Sequence, residues 1–513
     1  MRCVSLVLAL CCLFSSVSDL VAQLAPGGVG TGLQLWLRAQ DYQVQTPPAI
    51  WQPHAGELNA PMQENPMWMP LPGEAGRLIN GNPVVAFDGV DDHLLFLTNS
   101  FDALVGNFEA FIVYHVPAAG GALLGGQDGA DVRFSLGAEG QLITGRDTLS
   151  LVADTSTPTL LHVHHFGTHL AGRINGAAWD SVAASTWDAI TGPVAIGQQG
   201  FSGLLPLEGG IGEVILYNRR LDAFEADQVQ TYLAVKYGLT MARSYYASDS
   251  AQVWSQFGHP ENAFNVAGIG RDDAAGLLQT ASRSVLPAAI VSMRATGALP
   301  DLAYLIWGSS DSTLNERPAV INGEPVSVLR RQWHIHKRKE PGPIEVTFDL
   351  RDAIVSGAVS ADYWLVLDQD EDPANGIRSA YPAAVVDSDS IVFSGLHFED
   401  DDFMSLITHN PGRNIINVAL ATEAQPREVQ LNSAYPNPFV SQTRIQYTLP
   451  RPNHTRVRLI DLLGRTVRVM QDSWQPAGIY TLSINRGQLP AGVYYVQLKA
   501  GPTQIVRQVT ILR

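Results

Sequence analysis

From residue 24 to its C-terminus the chain is built of short segments that alternate apolar and polar, cut apart by Gly, Pro, Asn and Asp. A period of two puts apolar side chains on one face of a strand, and closely spaced turn residues keep the strands short. Such a chain folds into antiparallel sandwiches, not helical bundles. Leu33-Gln34-Leu35-Trp36-Leu37, Phe108 to Val116, Leu160 to Phe166 and Gly212 to Tyr217 carry the pattern early on. Composition agrees: 46 Gly and 31 Pro in 513 residues suit a turn-rich β protein, and 16% charged against 46% hydrophobic is no disordered chain. The length corresponds to about three domains. A net charge of −16 argues against a general nucleic-acid partner.

The N-terminus reads as a secretory signal peptide, residues 1–22. Arg2 supplies the positive start, and Val4 to Phe14 is an apolar run too short to span a bilayer. Cleavage is expected after Ala22. A lipoprotein reading fails because Cys11 sits inside the apolar run, behind Leu10 instead of a small residue. All three cysteines, Cys3, Cys11 and Cys12, lie in this segment. The mature chain is therefore expected to have no disulfide, thiolate metal site or cysteine nucleophile. No later apolar run approaches the ~20 residues of a spanning helix, so no transmembrane segment is expected in the mature chain.

One helix stands out. Asp222 can cap it, Glu225 completes a capping box, Val229, Tyr232, Leu233 and Lys236 follow at helical spacing, and Gly238 stops it. The resulting division is a first β domain over 23–242, a second β-rich domain over 243–410, a linker over 411–429 and a small third unit over 430–513. In the second domain Ala303 to Trp307, Val346 to Leu350, Tyr363 to Asp368 and Ser390 to Ser394 read as strands. In the third, six or seven short strands between Arg444 and Leu512 predict an immunoglobulin-like sandwich.

The last unit contains Ala434-Tyr435-Pro436-Asn437-Pro438-Phe439, then Asp461-Leu462-Leu463-Gly464-Arg465, then Leu489-Pro490-Ala491-Gly492-Val493-Tyr494-Tyr495, and closes on a basic, apolar tail from Val506 to Leu512. In these motifs and their order it resembles the C-terminal sorting domain of the type IX secretion system of the Bacteroidota. The resemblance implies Sec export, transit of the outer membrane, and handling by the secretion machinery and its C-terminal signal peptidase. The mature chain would then be secreted or held at the surface of a Gram-negative cell. Physically, Pro436 and Pro438 fix an extended entry that leaves Tyr435 and Phe439 to pack, and Gly464 and Gly492 suit turns with positive φ.

Residues 24–241 resemble a laminin-G/concanavalin-A-like jelly-roll domain. The resemblance rests on Leu33 to Ala39, Phe87 to Asp92, Gly172 to Gly176, Ile211 to Arg219 and Tyr232 to Gly238. Residues 245–408 resemble a domain of unknown function that follows such sandwiches, through Val266 to Asp273, Ile306-Trp307-Gly308, Arg331-Gln332-Trp333 and Phe348-Asp349-Leu350. The first resemblance implies lectins, adhesion modules or glycoside hydrolases alike, and fold does not choose among them.

Candidate chemistry is sparse. A concanavalin-like glucanase aims two carboxylates into a cleft from one strand, as Glu-x-Asp-x-x-Glu. The nearest match, Glu225 to Gln230, ends in Gln and lies on the predicted helix, so no catalytic residue is named. His162, His164, His165 and His169 cluster, with His162 and His164 on one strand face; a structural or solvent-facing strand is favoured over a metal site. His334 and His336 are expected on an exposed face beside a basic turn, and Glu399 to Asp402 in a solvated turn. Gly268 to Arg271 lacks the third glycine of a dinucleotide loop and reads as a turn with an Arg271–Asp272/Asp273 surface. Asp368, Asp370 and Asp372 have the spacing of a Ca²⁺ loop. Pro373 stands where such a loop needs Gly, however, and no Glu closes it at Ser379, which leaves a solvated acidic turn as the competing reading. No other cofactor is expected.

The expectation from sequence is a mainly β, exported, non-enzymatic surface protein that adheres to or binds a glycan or a surface protein. A glycan-active hydrolase on the same scaffold and a structural surface spacer are the alternatives.

Overall fold

The computed structural model describes most of residues 24–512. Residues 1–23, 44–49, 56–77, 97–106, 184–193, 200–204, 351–359 and 410–428, with shorter stretches between, lie outside the described residues, and so does the cleavage site expected after Ala22.

The first unit is two antiparallel sheets face to face. One is seven-stranded, with Leu33–Arg38, Glu208–Tyr217, Asn107–His115, Thr159–Phe166, His169–Ile174 and Asp180–Ala183 in that spatial order and Val85–Asp88 also joined to Glu208–Tyr217. The other is six-stranded and centres on Asp131–Gly137 and Ala122–Asp128. Alternation decides what lies between them. On Thr159–Phe166, Leu161 and Val163 enter the inter-sheet core with Ile112, Tyr114, Leu142 and Val214, while Leu160 points to the opposite face.

That opposite face carries the helix Ala223–Tyr237. It starts and stops as its sequence predicts: Asp222 accepts from the backbone of Phe224 and Glu225, Glu225 returns to the Asp222 N–H, and Gly238 ends it at φ 64°. The helix is buried on every side from Ala226 onward. Trp36, Phe111 and Tyr217 of the sheet pack on one side of it, and Trp254, Tyr304 and Ile306 of the following unit complete the same core. A helix read as closing the first domain is thus an inner layer shared by two.

The second unit is also a sandwich, with sheets of nine and five strands around Trp307, Trp333, Phe348, Leu365, Phe393 and Met404. The four strands expected from sequence appear as Ala303–Ser309, Ile344–Asp349, Tyr363–Asp368 and Ser390–Leu396, the second ending one residue before the expected Leu350. Gly268 to Arg271 is a correction: it lies inside the strand Phe264–Asp272, not in a turn. Its glycines serve close packing, since a Cβ at Gly270 would stand 2.7 Å from the Tyr304 ring. Arg271 does pair with Asp273 at the surface, but Asp272 is buried and accepts from the Tyr304 hydroxyl at 2.8 Å.

The third unit is the expected immunoglobulin-like sandwich of seven strands. Gln430–Leu431, Gln442–Leu449 and Gly478–Asn485 face Thr466–Gln475, Asn453–Ile460, Gly492–Ala500 and Thr503–Ile511 across Tyr447, Val457, Leu459, Val496 and Leu498.

Candidate functional site

The C-terminal motifs close the third sandwich on itself. Phe439 forms an isolated parallel bridge with Ile511, its N–H donating to the Thr510 carbonyl at 3.0 Å and its carbonyl accepting from the Leu512 N–H at 2.7 Å. Asn437 adds a side-chain clamp: Nδ2 donates to the Gln508 carbonyl at 3.0 Å, and Oδ1 accepts the Thr510 N–H at 2.8 Å. The start of the unit is thereby fastened to its last strand. Tyr435, Pro436 and Pro438 of the same motif lie outside the described residues. Gly464, at φ 77°, completes a turn in which Asp461 accepts the Arg465 N–H and pairs with its guanidinium at 2.7 Å. Gly492 is a correction: it has no positive φ and begins the strand Gly492–Ala500. The Tyr494 hydroxyl donates back to the Pro490 carbonyl at 3.0 Å, a corner that fixes the entry to that strand.

The motifs of the first unit meet around one carboxylate. Glu213, fully buried, accepts from the Trp36 indole N–H, from the Tyr232 hydroxyl at 2.7 Å, from the Tyr237 hydroxyl at 3.0 Å and from the Lys236 ammonium at 2.8 Å. A buried charge needs this many partners. Three sequence segments that look independent are one structural lock of helix to sheet. Glu225 and Asp227, from the nearest match to a catalytic carboxylate motif, are held by Arg219 and Arg243 in ion pairs at 2.6 and 2.7 Å.

The histidine cluster divides between two faces. His165 is buried, with its ring stacked toward Phe108. His162 is buried on the outer face, where Nε2 meets Glu109 at 2.6 Å and Nδ1 accepts from Arg173 at 3.1 Å. Burial pushes the Glu109 carboxyl up to about 7 against the Leu221 N–H and Arg173, and burial with Arg173 nearby holds His162 well below its ordinary value. His162 is therefore neutral and donates from Nε2, so the contact is a hydrogen bond and not an ion pair. Beside it Trp179 stands 38% exposed, with the Arg173 guanidinium 4.3 Å from its ring centre and His164 at 4.4 Å. Of the other tryptophans of this unit, Trp51 is buried and donates to the Arg38 carbonyl, and Trp68 lies outside the described residues.

In the second unit Asp368, Asp370 and Asp372 hold backbone and neighbours. Asp370 accepts from the Asp372 N–H and the Asn375 amide, each at 2.8 Å, Asp372 faces Arg317 at 3.4 Å, and Asp368 accepts the Gln369 N–H. That is the geometry of an acidic turn. The ligand-type side chains that converge, among the described residues, are His259, His334 and Asp401, and His336, Asp400 and Asp401. His334 is a correction, buried instead of exposed, and the run Glu399 to Asp402 is a turn with its first three acids exposed, from which only Asp402 departs. Asp402 is fully buried and bound by Arg378 and by the Gln369 amide at 2.7 Å, while Asp400 pairs with His336 at 2.9 Å.

Residues 433–512 match the family of the secretion system C-terminal sorting domain. The chain carries a type IX sorting domain. This domain marks the chain for export and implies handling by the secretion machinery. Residues 225–402 match the domain of unknown function DUF8202, a span that takes in the helix shared by the two larger units. No curated protein matches the sequence. Solved structures similar to the chain include domain 4 of an extracellular GH43 arabinanase from Geobacillus stearothermophilus, in complex with arabinotriose, at 16% identity over 39% of this chain and 96% of that one, TM-score 0.28. A Trypanosoma rangeli sialidase is similar at 13% over 40% of this chain and 33% of its own length, TM-score 0.30. Domains LG4-5 of the mouse laminin alpha1 chain are similar at 13% over 65% and 85%, TM-score 0.23.

Sequence reasoning missed the Glu213 lock and the His259–His334–Asp401 group. In the first, the signal was present: a Glu within a strand otherwise apolar on both faces, Ile211 to Tyr217, needs buried donors. In the second, no spacing in the sequence links His259 to the other two.

Proposed function

We propose that the chain is a non-enzymatic glycan-binding protein of the cell surface or the surrounding medium. Its first sandwich supplies the binding face, and the sorting domain supplies the address. The observation that carries the binding reading is Trp179. The other fully placed tryptophans of this sandwich, Trp36 and Trp51, are buried, whereas Trp179 exposes its ring just before an edge strand, braced by Arg173. An indole held still by a cation offers a rigid apolar platform of the kind on which sugar rings stack. Loops and edges of a rigid scaffold are where such sites sit.

The test is a glycan array probed with the full chain and with Trp179→Ala, followed by product analysis of every glycan that binds. Binding that the variant loses, at unchanged melting temperature and with the glycan recovered intact, supports this reading. Cleaved glycans would replace it with the hydrolase reading. No binding at all would leave the structural spacer.

A further inference from the structure

We propose that His259, His334 and Asp401 form a binding site for one divalent transition-metal ion of the Zn²⁺ class, in the second sandwich. The three come from separate elements: the approach to the 3-10 turn Pro260–Asn262, the strand Trp333–Arg338, and the turn before the strand Phe403–Thr408. One ligand atom of each lies within 4.8 Å of the others. The two imidazole centres are 4.1 Å apart, and Nε2 of His334 stands 3.2 Å from Oδ1 of Asp401.

Two further observations support a ligand here, with His334, its side chain 6% exposed, as the buried member of the set. Asp401 is held at φ 63°, a conformation unusual for a residue with a side chain, and this sets its carboxylate over His334. Its neighbours fasten it there: Asp402 is bound by Arg378, and Asp400 accepts the Lys337 N–H at 2.8 Å. Finally, aromatic rings line one side of His334, with Phe403 at 5.0 Å and Trp254 at 5.7 Å, and such an apolar shell strengthens ligand binding to a cation.

The donor set selects the metal. Two imidazoles and one carboxylate suit Zn²⁺ and its neighbours, not Ca²⁺, which takes oxygen ligands in larger number. Asp401 and His259 are partly exposed, at 64% and 39%, so rotation of these two side chains can close the set to metal-ligand distances and leave a position open to solvent. The adjoining set, His336, Asp400 and Asp401, shares Asp401 but offers one imidazole where this one offers two. The ion is therefore assigned to His259 and His334.

The test uses the full chain, stripped with a chelator and titrated with Zn²⁺ by calorimetry, with Co²⁺ absorption as a report of imidazole ligation. The expected result is one ion per chain with a raised melting temperature. His259→Gln and Asp401→Asn, both at exposed positions, should each weaken binding by at least about tenfold, while the metal-free melting temperature holds. His336→Gln should retain binding. No saturable binding, binding unaffected by His259→Gln and Asp401→Asn, or binding lost only in His336→Gln would each overturn the assignment.

Discussion

The ammonium of Lys236, in the last turn of the helix, lies 2.8 Å from the carboxylate of Glu213 in the strand Glu208–Tyr217 of the seven-stranded sheet, with both groups buried. Burial lowers the lysine from its ordinary value, and Glu213 opposes that shift. Lys236→Met keeps the apolar stem but leaves the carboxylate with neutral donors only. Breaking a buried pair from one side costs about 3–5 kcal/mol. The expected result is a urea midpoint lowered to match, with the slope unchanged. An unchanged midpoint would mean that Trp36, Tyr232 and Tyr237 suffice to hold the charge.

Gly238 ends the helix in a left-handed conformation, and a Cβ there would collide with the Arg283 carbonyl of the second unit. Gly238→Ala should therefore lose more than the roughly 1–2 kcal/mol of left-handed strain alone. Because the obstacle is backbone, the loss should appear in thermal melting as destabilisation of both larger units together. Separate transitions, with only one of them shifted, would contradict the shared core.

Glu109 makes stability depend on pH. Its folded value of about 7 lies above the ordinary carboxyl value of 4.5. Folding therefore takes up a proton, and the contribution of this group is full below pH 4.5 and falls away as pH rises through 7. Glu109→Gln keeps an acceptor for the Leu221 N–H and cannot ionise. Melting temperature against pH should be flatter between 4.5 and 7 in the variant than in the parent. Parallel curves would show that Glu109 does not titrate there.

Asn437 clamps the last strand through two hydrogen bonds at the surface. Asn437→Ala should destabilise the sorting domain by about 1–2 kcal/mol, at roughly 0.5–1.5 kcal/mol per bond, read by hydrogen exchange of the Thr510 amide. Removal of residues 433–512, the matched sorting domain, should keep the remainder from reaching the outside of the cell. Cell fractionation reads this directly, and undiminished export of the truncated chain would refute the role of the domain.

Much of the architecture is legible in the sequence, because its causes are local. The helix is written in Asp222, Glu225 and Gly238, and the structure uses all three as caps. Strand positions follow from alternation, and Gly464 follows from its turn. The errors have one origin. Gly268, Gly270 and Gly492 look like turn residues, but Gly270 makes room for Tyr304 across a strand pair and Gly492 simply begins a strand. In the acidic run Glu399 to Asp402 the first three acids are exposed, but Asp402 is buried, because Arg378, just before the strand Ser379–Pro382, provides a partner that no local pattern shows.

The strand-rich class, the helix Ala223–Tyr237 with its caps, and the sorting domain are thus all readable from the chain alone, since periodicity, capping and contiguous motifs need only near neighbours. Tertiary structure alone decided which charged side chains would be buried and with what. Glu109 reaches the Leu221 backbone across 112 residues, and His334 meets Asp401 across 67. Such contacts depend on how sheets stack and where turns fold back, and a side chain's position in the chain carries no record of that.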